Sequence, residues 1–148
     1  AASAEEGEEK IKAAIADGIA LQKLRAFIEA QGGDPTYIDH PEKFPLAKNI
    51  IEIRAKQSGY VRRIDSMQIG ISAMKLGAGR ETMEDVIDMS AGIVLAKKVG
   101  DVVKIGDVLA VCHTNKEDIE DILKDIENAF VYDTDPFVPA PIVHRYVK

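Results

Sequence analysis

The residues with the strongest intrinsic reactivity in this sequence are three histidines and one cysteine. His40, His113 and His144 are scattered along the chain, and Cys112 directly precedes His113. Neighbouring side chains on a strand point to opposite faces, so Cys112 and His113 do not share one metal ion. A zinc site needs further ligands at useful spacing. We therefore expect no metal site, and we expect Cys112, at the end of the apolar run 109–112, to be a buried small hydrophobe.

The second candidate is the glycine-rich stretch Gly77-Ala78-Gly79-Arg80, which could cradle a phosphate. It does not fit the dinucleotide fingerprint, because Thr82 stands where a third glycine belongs and no predicted strand leads into it. The pattern favours a helix C-cap and turn, with Gly77 in the left-handed region. Arg80 is followed by Asp85 and Asp88, which predicts an internal ion pair or a network at a helix N-terminus.

Carboxylates and lysines supply the third set of candidates. The pairs Glu117-Asp118 and Glu120-Asp121 lie on the outer face of a predicted helix, where a solvated surface is a better interpretation than a general acid–base pair. The same acidic face, through Glu117, Glu120 and Asp121, leaves open a generic interaction module. Lys97-Lys98 could attract an anion, although two lysines at a strand end are common.

Lys75 raises a different possibility. Ala73-Met74-Lys75-Leu76 resembles the Ala-Met-Lys-Met sequence at which biotinyl carrier domains take their cofactor on lysine. That resemblance implies a covalent cofactor on Lys75 at a hairpin tip. Here the preceding residues predict a helix, and a glycine-rich turn follows at once. A carrier module with Lys75 as its attachment site therefore remains an alternative, and a solvated helix lysine is the preferred interpretation.

Two helices are predicted ahead of these candidates, over about 5–16 and 19–31. Ser3-x-x-Glu6 forms a possible capping box, and Asp17-Gly18 interrupts the apolar periodicity. The first helix has its apolar stripe at Ile11, Ala14 and Ile15, and the second at Leu21, Leu24, Phe27 and Ile28. Neither helix persists alone, so each needs a partner for its stripe. We assign 1–33 to a helical segment and 34–49, with three prolines, to a connector.

Residues 50–148 predict an α+β domain. It consists of a small, mostly antiparallel sheet, or a barrel-sandwich-like arrangement, covered by helices. The repeated Gly-Asp pattern at 100–109 indicates tight turns between short strands. Strands are predicted at 50–55, 59–64, 92–97, 108–113, 131–134 and 142–147, with a short strand between Gly100 and Gly106. Helices are predicted at 66–76, 82–87 and 116–129, the last capped by Thr114-x-x-Glu117, with an inner face of Ile119, Ile122, Leu123 and Ile126.

Composition excludes several classes of protein. A net charge of −6 and a pI near 5.1 argue against nonspecific binding to nucleic acid or to anionic membranes. The apolar runs are shorter than the roughly 20 residues that a membrane helix needs. A single cysteine allows no internal disulfide, which favours a reducing compartment. The chain begins Ala-Ala-Ser-Ala without methionine, and we interpret it as a fragment.

Several of these motifs together resemble the pyrimidine-nucleoside phosphorylase family, which includes the thymidine phosphorylases. The run from Leu24 to Pro35 is similar to the family segment that precedes its C-terminal domain, and the remainder is similar to that domain. The resemblance covers about Gly7 to Lys148. The matching positions are Asp65, Ile69, Gly70, Ala73, Leu76 to Arg80, Asp85, Ile87, Asp88, Gly92, Ile93, Lys98, Gly100 and Asp101.

The resemblance implies a parent enzyme that uses phosphate to split a pyrimidine nucleoside into base and pentose 1-phosphate. In the family, the catalytic Lys, Ser, Thr, Arg and His residues lie on segments that this sequence lacks. We therefore assign no catalytic, substrate-binding, metal or cofactor residue here, and we expect the fragment alone to be inactive. The resemblance further implies a structural part of the α/β lobe that moves as the cleft closes, in a cytoplasmic homodimer. We also expect residues 1–33 to expose an apolar stripe.

Overall fold

A computed structural model of the protein describes residues 1–136 and 138–141. The chain forms two compact units, Ala1–Phe44 and Pro45–Lys148. The three segments drawn from the sequence, 1–33, 34–49 and 50–148, stay a prediction, because compactness alone does not define a folding domain. No helix in the described part of the chain has both the length and the apolar character to cross a membrane.

The first unit is helical. Helix α1 is Ala4–Ala16 and helix α2 is Ile19–Ala30, as the sequence predicts. The Ser3 side chain accepts a hydrogen bond of 3.2 Å from the Glu6 amide, which confirms the predicted N-cap. Gly18, with φ +75°, makes the turn between the helices. The proline-rich stretch that follows contains a single-turn helix, α3 (Thr36–Asp39), and a 3₁₀ turn, Pro41–Lys43.

The second unit is built on two three-stranded antiparallel sheets. The strands are β1 Asn49–Arg54, β2 Gly59–Ile64, β3 Gly92–Leu95, β4 Val102–Val103, β5 Val108–Thr114 and β6 Phe130–Asp133. One sheet has the order β1-β5-β3 and the other β4-β2-β6, so β2 is central in the second sheet and β6 lies at its edge. The predicted α+β class is confirmed, and among the described residues the sheets do not close into a barrel.

A short internal repeat joins the two sheets. Residues 98–103 (Lys-Val-Gly-Asp-Val-Val) and 104–109 (Lys-Ile-Gly-Asp-Val-Leu) form equivalent turns. In each turn the aspartate carboxylate accepts a hydrogen bond from the lysine amide, at 2.7 Å for Asp101 and 3.1 Å for Asp107. The glycines have φ values of +97° and +89°, which L side chains rarely adopt. The first turn pairs with Val61 on β2 and the second with Ala55 after β1.

The core of the second unit lies between the sheets and two helices. Helix α4 is Ser66–Ala73, and α5 is Glu120–Asn128. Asp65 caps α4 by accepting a 3.1 Å hydrogen bond from the Gln68 amide. The predicted inner face of α5 is confirmed: Ile126 is fully buried, Ile119 is buried just ahead of the helix, and Ile122 and Leu123 pack against the core. Val61, Leu76, Leu109 and Cys112 are also inaccessible to solvent.

Two predicted helices differ from the structure. The segment 82–87 is a turn and not a helix, because the Asp85 carboxylate accepts hydrogen bonds from the Glu81 and Thr82 amides and so replaces helical bonding. The helix predicted from 116 begins only at Glu120, and Thr114 does not cap it. Strand β5 runs through Thr114, whose hydroxyl is used elsewhere. The predicted strand 142–147 lies outside the described residues.

Candidate functional site

The glycine-rich stretch is the end of helix α4 and the start of a long loop. After Ala73 the helix widens into a π-type turn, Met74–Ala78, which is broken by Gly77 with φ +117°. A Cβ at Gly77 would lie 3.3 Å from Asp88 Cβ and 3.4 Å from Ala91 Cβ, so the backbone and the loop approach closely here. The predicted C-cap with a positive φ at Gly77 is confirmed. The stretch therefore terminates a helix rather than following a strand, as a dinucleotide-binding loop does.

Three consecutive carbonyls at this helix end are bound by distant parts of the chain. Lys116 Nζ donates to the Lys75 carbonyl at 2.7 Å, and the Thr114 hydroxyl donates to the Leu76 carbonyl at 2.6 Å. The Asp88 amide donates to the Gly77 carbonyl at 2.9 Å. The last carbonyls of a helix have no partner within it, so these bonds satisfy them. They also fix the helix end against the end of strand β5.

The loop that follows, residues 81–90, is held by two aspartates. Asp85 Oδ2 accepts from the amides of Glu81 and Thr82, each at 2.8 Å. Asp88 accepts from the Ser90 amide and hydroxyl, and from Asn115 Nδ2 at 2.8 Å. These bonds favour the charged carboxylates, so the Thr82 amide chiefly lowers the pKa of Asp85, and the Ser90 hydroxyl chiefly lowers the pKa of Asp88.

Arg80 does not make the predicted ion pair. Its side chain is exposed, and no ion pair between Arg80 and either Asp85 or Asp88 is present in the described residues. Both aspartates instead bind backbone amides and neutral side chains, as given above. The prediction for Arg80 is therefore wrong in both its forms, because the segment 82–87 is not a helix and the hydrogen bonds of Asp85 and Asp88 go to other partners.

Lys75 does not occupy a hairpin tip. It lies in the π-type turn at the end of α4, with its Nζ 3.8 Å from Asp125 Oδ2 on α5. Its carbonyl is bound by Lys116, as described above. A carrier lysine must be presented away from the domain between short strands, and no observation supports that role here. The helix-lysine interpretation fits the geometry.

The other candidates are also placed by the structure. Cys112 is fully buried, and burial raises the pKa of its thiol to about 11, so it is a poor nucleophile at neutral pH. His113 lies on the opposite face of β5 and is half-buried. Glu117, Asp118, Glu120 and Asp121 are all exposed. Within residues 1–136 and 138–141, no three His, Cys, Asp or Glu side chains come close enough together to hold a metal ion.

One apolar groove is present on the second unit. It has a volume of about 750 Å³ and is lined mainly by Ile64, Ile69, Leu95, Val99 and Pro139, with Ser66 and Lys98 as its polar side chains. The Pro139 ring lies against the first glycine turn, because a Cβ on Gly100 would be 2.5 Å from Pro139 Cγ. The groove offers apolar contact surface rather than an acid–base pair.

The first unit shows the expected apolar stripe. Six large apolar residues on α1 and α2 are 46–65% exposed: Ile11, Ile15, Ile19, Leu21, Leu24 and Phe27. Ala14 and Ile28, the other two residues of the predicted stripes, are half-buried. The exposure of the six large residues confirms the expectation that these helices present apolar surface to solvent.

Sequence comparison identifies the family. The sequence model of the pyrimidine nucleoside phosphorylase C-terminal domain matches residues 60–133. The chain belongs to this family. The matched range runs from β2 to the end of β6, and so it includes the whole α4 end, the 81–90 loop and both glycine turns.

Full-length relatives place the match within a longer protein. Pyrimidine-nucleoside phosphorylases of Staphylococcus aureus strains USA300, NCTC 8325 / PS 47 and COL are each 44% identical over 143 residues. The alignment covers 97% of this chain and 33% of each relative. The chain therefore spans about a third of the length of these relatives, at their C-terminal end.

Sequence reasoning missed Thr114, Asn115 and Lys116 as partners of the α4 end and the 81–90 loop. Each of these side chains bonds across more than 20 residues of sequence, to Leu76, Asp88 and Lys75. A signal was available, because Thr114 ends the largely apolar strand β5 and two further polar residues follow it. Loops at strand ends commonly position other segments in this way.

Proposed function

We propose that this chain is the C-terminal part of a pyrimidine-nucleoside phosphorylase and that its role in the enzyme is structural. The observation that carries the proposal is the 44% identity over 97% of the chain to proteins of that name. The domain match over 60–133 agrees with it.

The proposed reaction is phosphorolysis. A phosphate oxygen forms a bond to the anomeric carbon of a pyrimidine nucleoside while the bond from that carbon to the base nitrogen breaks. The electron pair leaves with the pyrimidine, which then takes up a proton. An enzyme for this reaction must hold the phosphate dianion and stabilise negative charge on the departing base. The substrates of the parent protein would therefore be phosphate and a pyrimidine nucleoside.

We further propose that the second unit acts as a rigid body on the lobe that carries the phosphate site. Its buried core and the bonded carbonyls of α4 make it suited to move as one piece when a cleft closes. On this proposal the parent is a homodimer in the cytoplasm, and it binds neither nucleic acid nor membranes. The net charge of −6 supports the last two points.

The test is a phosphorolysis assay on two proteins. Release of uracil or thymine from uridine and thymidine is followed with phosphate present, for this chain alone and for the full-length product of its gene. We expect activity only in the full-length protein. No activity in either protein would remove the assignment, and activity in this chain alone would refute the structural role.

A matched pair of variants separates the structural role from a surface effect. In the full-length protein, Leu109→Ala removes a fully buried side chain, whereas Glu117→Gln changes an exposed one. We expect Leu109→Ala to lower thermal stability and to lose activity at temperatures where the second unit unfolds. Glu117→Gln should leave both unchanged; a strong loss of activity would instead favour a role for the acidic surface.

A further inference from the structure

The 81–90 loop exposes three large apolar side chains within seven residues. Met83, Val86 and Met89 are 91%, 89% and 83% exposed, and Ile87 between them is 41% exposed. Single exposed apolar residues are common on protein surfaces and need no explanation. Three such residues on one ten-residue loop concentrate apolar surface in a small part of the chain, and concentrations of exposed apolar surface mark sites of contact with another surface.

The backbone of this loop is fixed although its apolar side chains are free. Asp85 binds two amides at the start of the loop, and Asp88 binds Ser90 and Asn115 near its end. The Asp88 amide also bonds the Gly77 carbonyl. A mobile loop would lose conformational entropy on binding, whereas a fixed loop has already lost much of it. The hydrogen bonds of the loop therefore hold the backbone of Met83, Val86 and Met89 in one conformation before any partner binds.

The charges on the loop bear on which surface covers it. Glu81, Glu84, Asp85 and Asp88 lie among the apolar residues, and the chain as a whole carries a charge of −6. Lys116 lies 4.0 Å from Glu81 and offsets one of these four charges, so the loop stays acidic. Two copies of the loop facing each other in a symmetric contact would bring like charges together, which disfavours self-association. A surface complementary to this loop would be apolar with a rim of lysine or arginine.

The lengths of the relatives indicate where that surface is. The relatives align over only 33% of their length, at the C-terminal end, so about two-thirds of such a protein precedes the aligned part. We propose that the 81–90 loop docks on this preceding part of the parent protein, at an apolar surface bordered by basic residues. The inference rests on the proposed function, because it takes the parent to be a phosphorylase of that length.

Cysteine accessibility tests the docking directly. Cys112 is buried and its pKa is raised to about 11, so it gives little background in the folded protein. Met83→Cys and Met89→Cys are each labelled with a thiol reagent in this chain alone and in the full-length protein, in which other accessible cysteines have been replaced. Ile105→Cys is the matched control, because Ile105 is 71% exposed on the second glycine turn. That turn precedes the start of β5, whereas the loop is bonded to Asn115 just after the end of β5.

We expect fast labelling of all three variants in this chain alone. In the full-length protein, the labelling rates of Met83→Cys and Met89→Cys should fall by about tenfold or by a larger factor, because buried sites react only when the interface opens. The labelling rate of Ile105→Cys should stay unchanged. Equal rates for the loop variants in the two proteins would overturn the proposal. Protection that appears in this chain alone and rises with its concentration would also overturn it, in favour of a second copy.

The phosphorolysis assay separates this inference from the function on which it rests. A full-length protein that is active but leaves Met83→Cys unprotected contradicts the docking and keeps the function. A full-length protein that is inactive on every pyrimidine nucleoside, with its loop protected, contradicts the function and keeps the contact. Circular dichroism of each variant confirms that an exposed substitution has not changed the fold.

Discussion

The two units of this chain use similar apolar side chains in opposite ways. In Ala1–Phe44 no residue is buried, and the large apolar residues of α1 and α2 are about half-exposed. In the second unit, Val61, Leu76, Leu109 and Ile126 are inaccessible to solvent. Two helices offer each other only one narrow stripe, whereas two sheets and two helices enclose a volume. An amphipathic sequence therefore fixes which face is apolar, but the number of surrounding elements decides whether that face is buried.

The largest expected effect comes from making the same substitution in both units. Leu109→Ala should destabilise the second unit by about 2–5 kcal/mol, because it leaves a cavity in a close-packed core. Leu21→Ala, at a side chain that is 52% exposed, should cost less than about 1 kcal/mol. Urea unfolding followed by circular dichroism measures both. Equal losses would show that the helices of the first unit pack more tightly than their exposure indicates.

The glycine turns give the next largest effect. Gly100 and Gly106 occupy equivalent turns with φ values of +97° and +89°, but only Gly100 has Pro139 against it. Alanine at Gly106 should cost about 1–2 kcal/mol from backbone strain alone. Alanine at Gly100 should cost a further 1–3 kcal/mol or so, because its Cβ overlaps the proline ring.

A glycine in the first unit serves as the control for this pair. Gly18 has φ +75° and nothing within 4 Å of a built Cβ, as at Gly106. Gly18→Ala and Gly106→Ala should therefore carry similar strain. Thermal melts of the three variants rank the losses of stability. If Gly100→Ala were the least destabilising of the three, Pro139 would have to move aside freely.

A smaller effect is expected at the buried hydroxyl of Thr114. This hydroxyl donates to the Leu76 carbonyl at 2.6 Å and accepts from the Lys116 amide at 3.1 Å. Thr114→Val keeps the shape of the side chain but leaves the Leu76 carbonyl and the Lys116 amide without the hydroxyl as a partner. This should lower the free energy of unfolding by about 1–3 kcal/mol. Thr114→Ser keeps the hydroxyl and isolates the loss of one methyl group. Chemical denaturation should show the valine variant as the less stable of the two; the reverse order would mean that packing outweighs the hydrogen bond.

The smallest expected effect is the loss of stability at acidic pH. The pKa values of Asp85 and Asp88 are lowered by the hydrogen bonds that hold the 81–90 loop, so the folded state favours their charged forms. Their contribution to stability is full above the ordinary aspartate pKa of about 3.9 and is lost as the pH falls through the lowered values. Carboxyl chemical shifts in an NMR titration measure both groups.

The first unit supplies the comparison for this titration. Asp39 lies beside Arg25, whose side chain chiefly lowers the pKa of that carboxyl. Added salt should raise the Asp39 value towards normal because it screens the ion pair, and should affect Asp85 less because backbone amides hold it. An Asp85 value that rises with salt as steeply as that of Asp39 would contradict the assignment to backbone hydrogen bonds.

Much of the fold follows from local pattern. Both helices of the first unit, β2 at Gly59–Ile64, and the apolar face of α5 agree with the sequence prediction, because apolar periodicity and glycine placement are local signals. The prediction of a helix over 82–87 was wrong, because the Asp85 carboxylate accepts hydrogen bonds from amides at the start of this segment and so replaces helical bonding. The predicted start of α5, with Thr114 as its cap, was wrong because strand β5 continues through Thr114.

The candidate sites divide in the same way. The sequence predicted a buried Cys112 and a C-cap at Gly77, and both are confirmed. It predicted an ion pair of Arg80 with Asp85 or Asp88, or a network at a helix N-terminus, because these residues lie close together along the chain. In the structure, the two aspartates accept hydrogen bonds from backbone amides, from Ser90 and from Asn115. No local sequence pattern predicts the contact with Asn115, which is distant in sequence.

By itself, the sequence determined the family, the α+β class and the apolar face of each helix. These properties depend on residue types at short spacing, which the chain carries whatever its partners are. Only the tertiary structure decided that Thr114, Asn115 and Lys116 hold the end of α4 and its loop, and that Met83, Val86 and Met89 remain exposed. Those outcomes depend on hydrogen bonds between segments far apart in sequence, and such bonds form only when the packed elements bring donors and acceptors within reach.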